Sequence, residues 1–271
     1  MNRAQLKAQI LAKQSYLCVG LDTDIQKIPQ HLLQEENPIL AFNKAVIDAT
    51  KDYTVAYKIN TAFYEAMGIK GWQIMEETLH YIPNNIFTIA DAKRGDIGNT
   101  SEQYARTFFE TFPYDSVTVA PYMGRDSVAP FLKFEGKWTI VLGLTSNEGS
   151  KDFQYLETGN GKLYEQVLGT VSQWGTPENL MFVIGATRTD QIAHVRSLLP
   201  QHFFLVPGVG AQGGDLAAIS RAALIEDGGL LVNVSRGVIY AGDGSDYTEK
   251  IRAAAQDYQQ QMKRLLEEVL V

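Results

Sequence analysis

The run Phe87-Thr88-Ile89-Ala90-Asp91-Ala92-Lys93-Arg94-Gly95-Asp96 changes character halfway, from apolar to charged. The apolar half shows little alternation, the pattern of a strand covered on both faces in a parallel sheet. The charges begin where such a strand must end. Seven further runs have the same form: YLCVGL from Tyr16, TVAYKI from Thr54, SVTVA from Ser116, WTIVLGL from Trp138, MFVIGA from Met181, FFLVPGVG from Phe203 and LLVNVSRG from Leu230. They are rich in Val, Ile, Phe and Tyr, and Gly, Pro, Asp or Asn marks their ends.

Longer amphipathic stretches separate these runs. Asn37-Pro38 opens one that carries Phe42, Val46 and Ile47, and Gly71 to Ile82 places Trp72, Met75, Leu79 and Ile82 at helical spacing. Ser101 to Phe112, Gln166 to Trp174 and Asp246 to Val269 read the same way. Strand and helix alternating eight times predicts an α/β protein of the closed (β/α)8 TIM-barrel class. An open, doubly wound sheet is the competing arrangement. No linker, low-complexity tract or repeat is visible, so residues 1–271 are expected to form one domain with an N-terminal helix.

A chain that is 45% hydrophobic and 20% charged is ordinary for a protein able to bury a large core. A net charge of −7 argues against broad binding to nucleic acid or an anionic membrane, while leaving room for a locally positive pocket. The single cysteine, Cys18, rules out an internal disulfide and sits in an apolar run, as a buried thiol would. MNRAQLKAQILAKQSY lacks the unbroken apolar core of a signal peptide, and no stretch is apolar enough to span a bilayer. A cytoplasmic location is expected.

Barrels carry their chemistry where strands end. That filter selects Asp22, Lys58, Asn60, Asp91, Lys93, Thr145, Ser146, Gly208, Gly210, Ser235 and Arg236. Period-two alternation puts Asp91 and Lys93 on one side of their strand, and Lys58 closes the preceding strand. A plain rim salt bridge is one explanation. Asp96, beyond Gly95, favours another, because Asp-x-Lys-x-x-Asp plus a neighbouring Lys supplies alternating charges that compensate one another in a cleft.

Here the sequence resembles a known family. IADAKRGDIGNTSEQYA is similar to the signature of orotidine 5′-monophosphate (OMP) decarboxylases. The resemblance runs through GLDTD, YKINTAFYE, APYMGRDSVAPF, LGLTSNEGS, VIGATR, PGVGAQGGD and NVSRGVIYA, and PYMGRDSV with LTSNEGS resembles the longer bacterial subgroup. It implies conversion of OMP to UMP, the last step of de novo UMP biosynthesis, with no cofactor and no metal. It assigns Lys93 as the acid that protonates C6, with Lys58, Asp91 and Asp96 completing the network. It also implies a homodimer in which Asp96 and Thr100 reach the partner's site.

Two late strand ends look built for a phosphate. Pro207-Gly208-Val209-Gly210-Ala211-Gln212-Gly213-Gly214 allows close approach of backbone N–H groups, with a helix N-terminus behind, and Ser235-Arg236 adds a bidentate cation. The resemblance gives Gln212 and Arg236 to the phosphate, with Tyr240 another candidate. It gives Asp22 a ribose hydroxyl, although Asp22 capping its own turn is an equally good reading of the residues. Asn60 and Thr61 are expected to assist at the ribose. The Thr145-Ser146-Asn147 loop is expected to close over the pyrimidine and read its edge through Ser146.

His31, His80, His194 and His202 show no metal-ligand spacing and are expected at the surface or at helix ends. Tyr53, Tyr57 and Tyr64 are expected to pack. Two rivals stay open. Hexulose-phosphate synthases share Asp-x-Lys-x-x-Asp but use Mg²⁺ and enediolate chemistry; Lys58 within KINTAFYE separates them. A non-catalytic phosphate-binding barrel would bind ligand without turnover.

Overall fold

The computed structural model describes residues 1–185, 189–209 and 215–270. Eight parallel strands close a barrel: β1 (Leu17–Gly20), β2 (Ala56–Asn60), β3 (Phe87–Arg94), β4 (Ser116–Val119), β5 (Trp138–Leu144), β8 (Leu180–Ile184), β9 (Phe203–Pro207) and β10 (Leu230–Val234). All eight expected runs are barrel strands, and β10 pairs with β1 to complete the ring. The expected closed barrel is therefore the fold, not the open sheet.

The two ends of the barrel differ because the strands begin and end differently. Phe87, Trp138 and Phe203 open β3, β5 and β9, all three essentially buried. Trp138 meets Phe87 and Phe203 edge-on, with both centroid separations 6.2 Å. Aromatic pairs of this kind add about 0.5–1.5 kcal/mol beyond the area they bury. They plug the amino end with apolar volume, so polar groups collect at the carboxyl end.

Helices α1 (Arg3–Lys13), α2 (Pro38–Thr50), α3 (Thr61–Glu65), α4 (Ile69–Tyr81) and α5 (Gly98–Arg106) accompany the first strands. Asn37 caps α2 by accepting the Leu40 N–H, with Pro38 in the first turn where its missing donor costs nothing. α5 runs on through a π-helical turn at Thr107–Thr111, so the expected single helix from Ser101 to Phe112 is two kinds of helix. α6 (Arg125–Leu132), α7 (Leu163–Val171), α8 (Thr189–Leu198), α9 (Leu216–Ala223), α10 (Arg236–Ile239) and α11 (Tyr247–Leu270) complete the ring. Between β5 and α7 a small antiparallel hairpin, β6 (Glu157–Thr158) and β7 (Gly161–Lys162), stands where the sequence indicated only a loop. Two-residue strands are too short to leave a periodic signal.

One histidine departs from expectation. His202 is buried, packed edge-on against Phe182, and both its ring nitrogens lack hydrogen-bond partners. Its backbone carbonyl accepts from Arg196, whose guanidinium also donates to the Ala223, Leu199 and Gly229 carbonyls and lies 3.7 Å from the Phe204 ring centre. Arg196 gathers the loops at this end of the barrel, and that tertiary demand draws His202 inside. Tyr57 and Tyr64 are buried and Tyr53 packs on the core, as expected.

Candidate active site

At the carboxyl end, Lys58 on β2 and Asp91 on β3 carry the centre of the site. The β2–β3 register pairs Asn60 with Asp91, so Lys58 projects from one pleat below it on the neighbouring strand. Lys58 Nζ lies 3.0 Å from Asp91 Oδ2 and 3.3 Å from Asp22 Oδ1. Lys93 Nζ lies 2.6 Å from Asp91 Oδ1. Asp22 therefore belongs to the ion cluster; it does not merely cap its own turn.

Lys93 does not reach this place by simple alternation. The β3–β4 register shifts between Ala90 and Arg94, and Lys93 has φ of +47°. A left-handed conformation costs a non-glycine residue on the order of 1 kcal/mol or more. Thr118 on β4 holds it: its hydroxyl accepts the Lys93 N–H at 2.9 Å and donates to Asp91 Oδ1 at 3.0 Å. The bulge turns Lys93 half out of the barrel, its side chain 49% exposed against 5% for Lys58. One ammonium is thus locked and the other is accessible.

The electrostatics follow from this geometry. Burial disfavours the Lys58 ammonium, but the Asp91 and Asp22 carboxylates more than offset it and hold its pKa above the usual lysine value. Burial likewise pushes the Asp91 carboxyl up, and Lys58 and Lys93 outweigh it, bringing the pKa down to about 2. Asp91 is ionised throughout the neutral range. Behind the cluster the Cys18 thiol is buried and protonated, its pKa pushed up to about 12 by burial.

A cavity of about 240 Å³ opens over the cluster, lined by Asp22, Lys58, Asn60, Asp91 and Lys93, by Pro207, Gly208, Ser235 and Arg236, and by the apolar Leu142, Val183 and Leu205. Gly208 has φ of +91°, which a side chain would strain. Ser235 Oγ donates to the Gly20 carbonyl, and Arg236 starts α10 exposed, with no ion pair among the described residues. The N-terminal amides of α9 do not serve an incoming anion here: Asp215 accepts the Ala217 and Ala218 N–H groups. A carboxylate at the cap already satisfies that helix end. Tyr240 ties the first loop together, accepting the Asp24 N–H and donating to the Asp22 carbonyl.

Some expected residues stand apart. Gly210 and Gln212 lie outside the described residues. Thr145 and Ser146 follow β5 but do not line the cavity, and neither do Asp96 and Thr100. Asp96 follows the strand and accepts the adjacent Ile97 N–H, while Thr100 is exposed on α5. Thr118 and Asn233, which lines the cavity from β10, were not anticipated. Their signal was a polar residue at an inward position of an otherwise apolar run. No group of three or more His, Cys, Asp or Glu placed to hold a metal ion occurs among the described residues.

A closed parallel α/β barrel with an ion cluster at its carboxyl mouth has the architecture of a barrel enzyme, whose active site sits at that end. More particularly, the chain belongs to the orotidine 5′-phosphate decarboxylase / HUMPS family, whose model matches residues 15–251. An orotidine 5′-phosphate decarboxylase of Flavobacterium johnsoniae is 56% identical over 98% of this chain and 99% of its own. One from Bacteroides fragilis is 54% identical over the full length of both. Among solved structures, an OMP decarboxylase of Leishmania donovani superposes with a TM-score of 0.85 at 36% identity, covering 98% of this chain and 99% of that one. A UMP synthase of the same organism matches with a TM-score of 0.86 at 38% identity over 96% of this chain, which spans 55% of that longer protein.

Proposed function

We propose that this chain decarboxylates OMP to UMP, closing de novo pyrimidine biosynthesis, without metal or organic cofactor. The Lys58–Asp91–Lys93 cluster at the cavity floor carries the reading, and the names of the relatives that match end to end support it. In this reading the C6–carboxylate bond breaks, CO₂ departs, and the electron pair stays on C6. Lys93 Nζ then gives its proton to C6 and is reprotonated from water.

The charges favour that course. An ammonium beside C6 stabilises a carbanion more than a neutral ring, which is what lowers a barrier. Two unit charges about 4 Å apart at an effective dielectric near 20 interact by roughly 4 kcal/mol. Asp91, fixed by Lys58 and Thr118, opposes the substrate carboxylate by a similar order and is relieved as CO₂ leaves. Lys58 stands where a divalent cation bridging Asp22 and Asp91 would have to stand, which favours the metal-free reading over Mg²⁺ chemistry.

Asp22 and Asn60 then face the ribose, and Arg236, Ser235, Pro207 and Gly208 the phosphate, with Gly210 and Gln212 implied by resemblance. Ser146, beside Thr145 at the base of the loop after β5, reads the pyrimidine edge while the rest of that loop closes over it. Asp96 and Thr100 act across a homodimer, consistent with their position off the chain's own cavity and with the exposed Ile97 between them in sequence. No described helix is long and apolar enough to cross a membrane, which accords with a cytoplasmic enzyme. Turnover of OMP by wild type, absent in Lys93→Ala, tests the reading; a folded wild type inert toward OMP contradicts it.

A further inference from the structure

Gln154 lies between β5 and α7 and grips the end of β5 with both ends of its amide. Its Oε1 accepts the Thr145 N–H at 2.9 Å, and its Nε2 donates to Thr145 Oγ1 at 2.8 Å. Because that hydroxyl receives a donor, its own proton points onward, to Asn147 Oδ1 at 2.6 Å. The backbone of Gln154 is itself anchored, its N–H on the Ser150 carbonyl and its carbonyl on the N–H of Tyr164 in α7. The amide is therefore an arm from a helix to the turn that follows β5.

The turn is also seated from the other side. A Cβ on Gly185, just past β8, would come within 2.8 Å of Ser146 N and 3.0 Å of Ser146 Cβ. Bare backbone there lets Ser146 settle against the end of β8. Gln154 fixes the residue before Ser146, and Gly185 fixes the wall behind it.

We propose that Gln154 is a positioning residue for nucleobase recognition: by clamping Thr145 it sets the direction in which the Ser146 turn meets the pyrimidine edge. This rests on the assignment of that edge to Ser146 made above. A serine hydroxyl both donates and accepts, so a loose turn would suit a uracil edge and a cytosine edge alike. A turn held on two sides selects one of them.

The test compares wild type, Gln154→Ala, Gln154→Glu and Ser146→Ala. The measurements are kcat/KM for OMP and inhibition constants for UMP, CMP and ribose 5-phosphate, which lacks a base. Gln154→Ala is expected to lower kcat/KM and the preference for UMP over CMP by about tenfold, the worth of an unmade hydrogen bond to a fixed donor. Ribose 5-phosphate should bind unchanged. Gln154→Glu, which keeps the acceptor for the Thr145 N–H, should fall between. Equal weakening of ribose 5-phosphate would make Gln154 a general structural residue and overturn the proposal. An unaltered UMP preference in Gln154→Ala, with the preference lost in Ser146→Ala, would overturn the role of Gln154 alone. The preference intact in both would remove base reading by Ser146 and the proposal with it.

Discussion

Lys58 and Asp91, on adjacent parallel strands, form a 3.0 Å ion pair in which neither side chain is more than 10% exposed. Breaking such a buried pair from one side typically costs about 3–5 kcal/mol, because the remaining charge is left uncompensated. Asp22 and Thr118 absorb part of that demand, and Lys93 takes the other oxygen of Asp91. The arrangement holds a carboxylate ionised against burial, at the place where the substrate carboxylate is expected.

Asp91→Asn is therefore expected to reduce kcat for OMP by on the order of a thousandfold, the scale of removing one preorganised charged group. Affinity for UMP, which carries no carboxylate at C6, should change by less than about tenfold. Steady-state kinetics and calorimetric UMP titration give the two numbers. Equal losses in both would mean that Asp91 serves only to hold the fold of the site.

Asp96 and Thr100 stand off the cavity of their own chain. If Asp96 acts across a dimer, Lys93→Ala and Asp96→Ala are each inactive, yet a mixed dimer contains one intact site. Random reassortment should recover about a quarter of wild-type activity, since half the dimers are mixed and each has one working site. No recovery after verified subunit exchange would place Asp96 in its own chain's site.

His202 gives a pH dependence. Burial first, then the positive charges of Arg196 and Arg3, lower its pKa from 6.5 to about 4. Between those values the unfolded chain binds a proton that the folded chain does not, so stability falls as pH drops through that window. Asp91 acts lower down: its contribution is complete above 3.8 and is lost as pH falls through about 2. Thermal melts at about pH 7.5 and about pH 5 should show a larger drop for wild type than for His202→Gln. Equal drops would show that His202 is protonated in the folded protein.

The barrel was legible in the sequence because strands covered on both faces must be written as apolar runs, and their polar ends mark one rim. Lys58, Asp91 and Asp22 were legible for the same reason: each is the charged stop of a run. The bulge at Lys93 was not, since it arises from the register against β4 and from Thr118, a contact between residues distant in sequence. Burial of His202 was hidden likewise, imposed by Arg196 and by neighbours from other strands. The Gln154 clamp closes across the 3-10 turn Glu148–Asp152 after β5, and neither a strand nor a helix period marks a contact of that spacing. The role proposed for Asp96 requires a second chain, which no single-chain pattern encodes.

The most direct measurement is OMP turnover, followed by loss of the orotate chromophore, for wild type and Lys93→Ala with and without EDTA. Wild type is expected to convert OMP to UMP rapidly, unaffected by EDTA, and Lys93→Ala to convert none although it still binds UMP. Turnover that survives in Lys93→Ala, or that EDTA abolishes and Mg²⁺ restores, would contradict it.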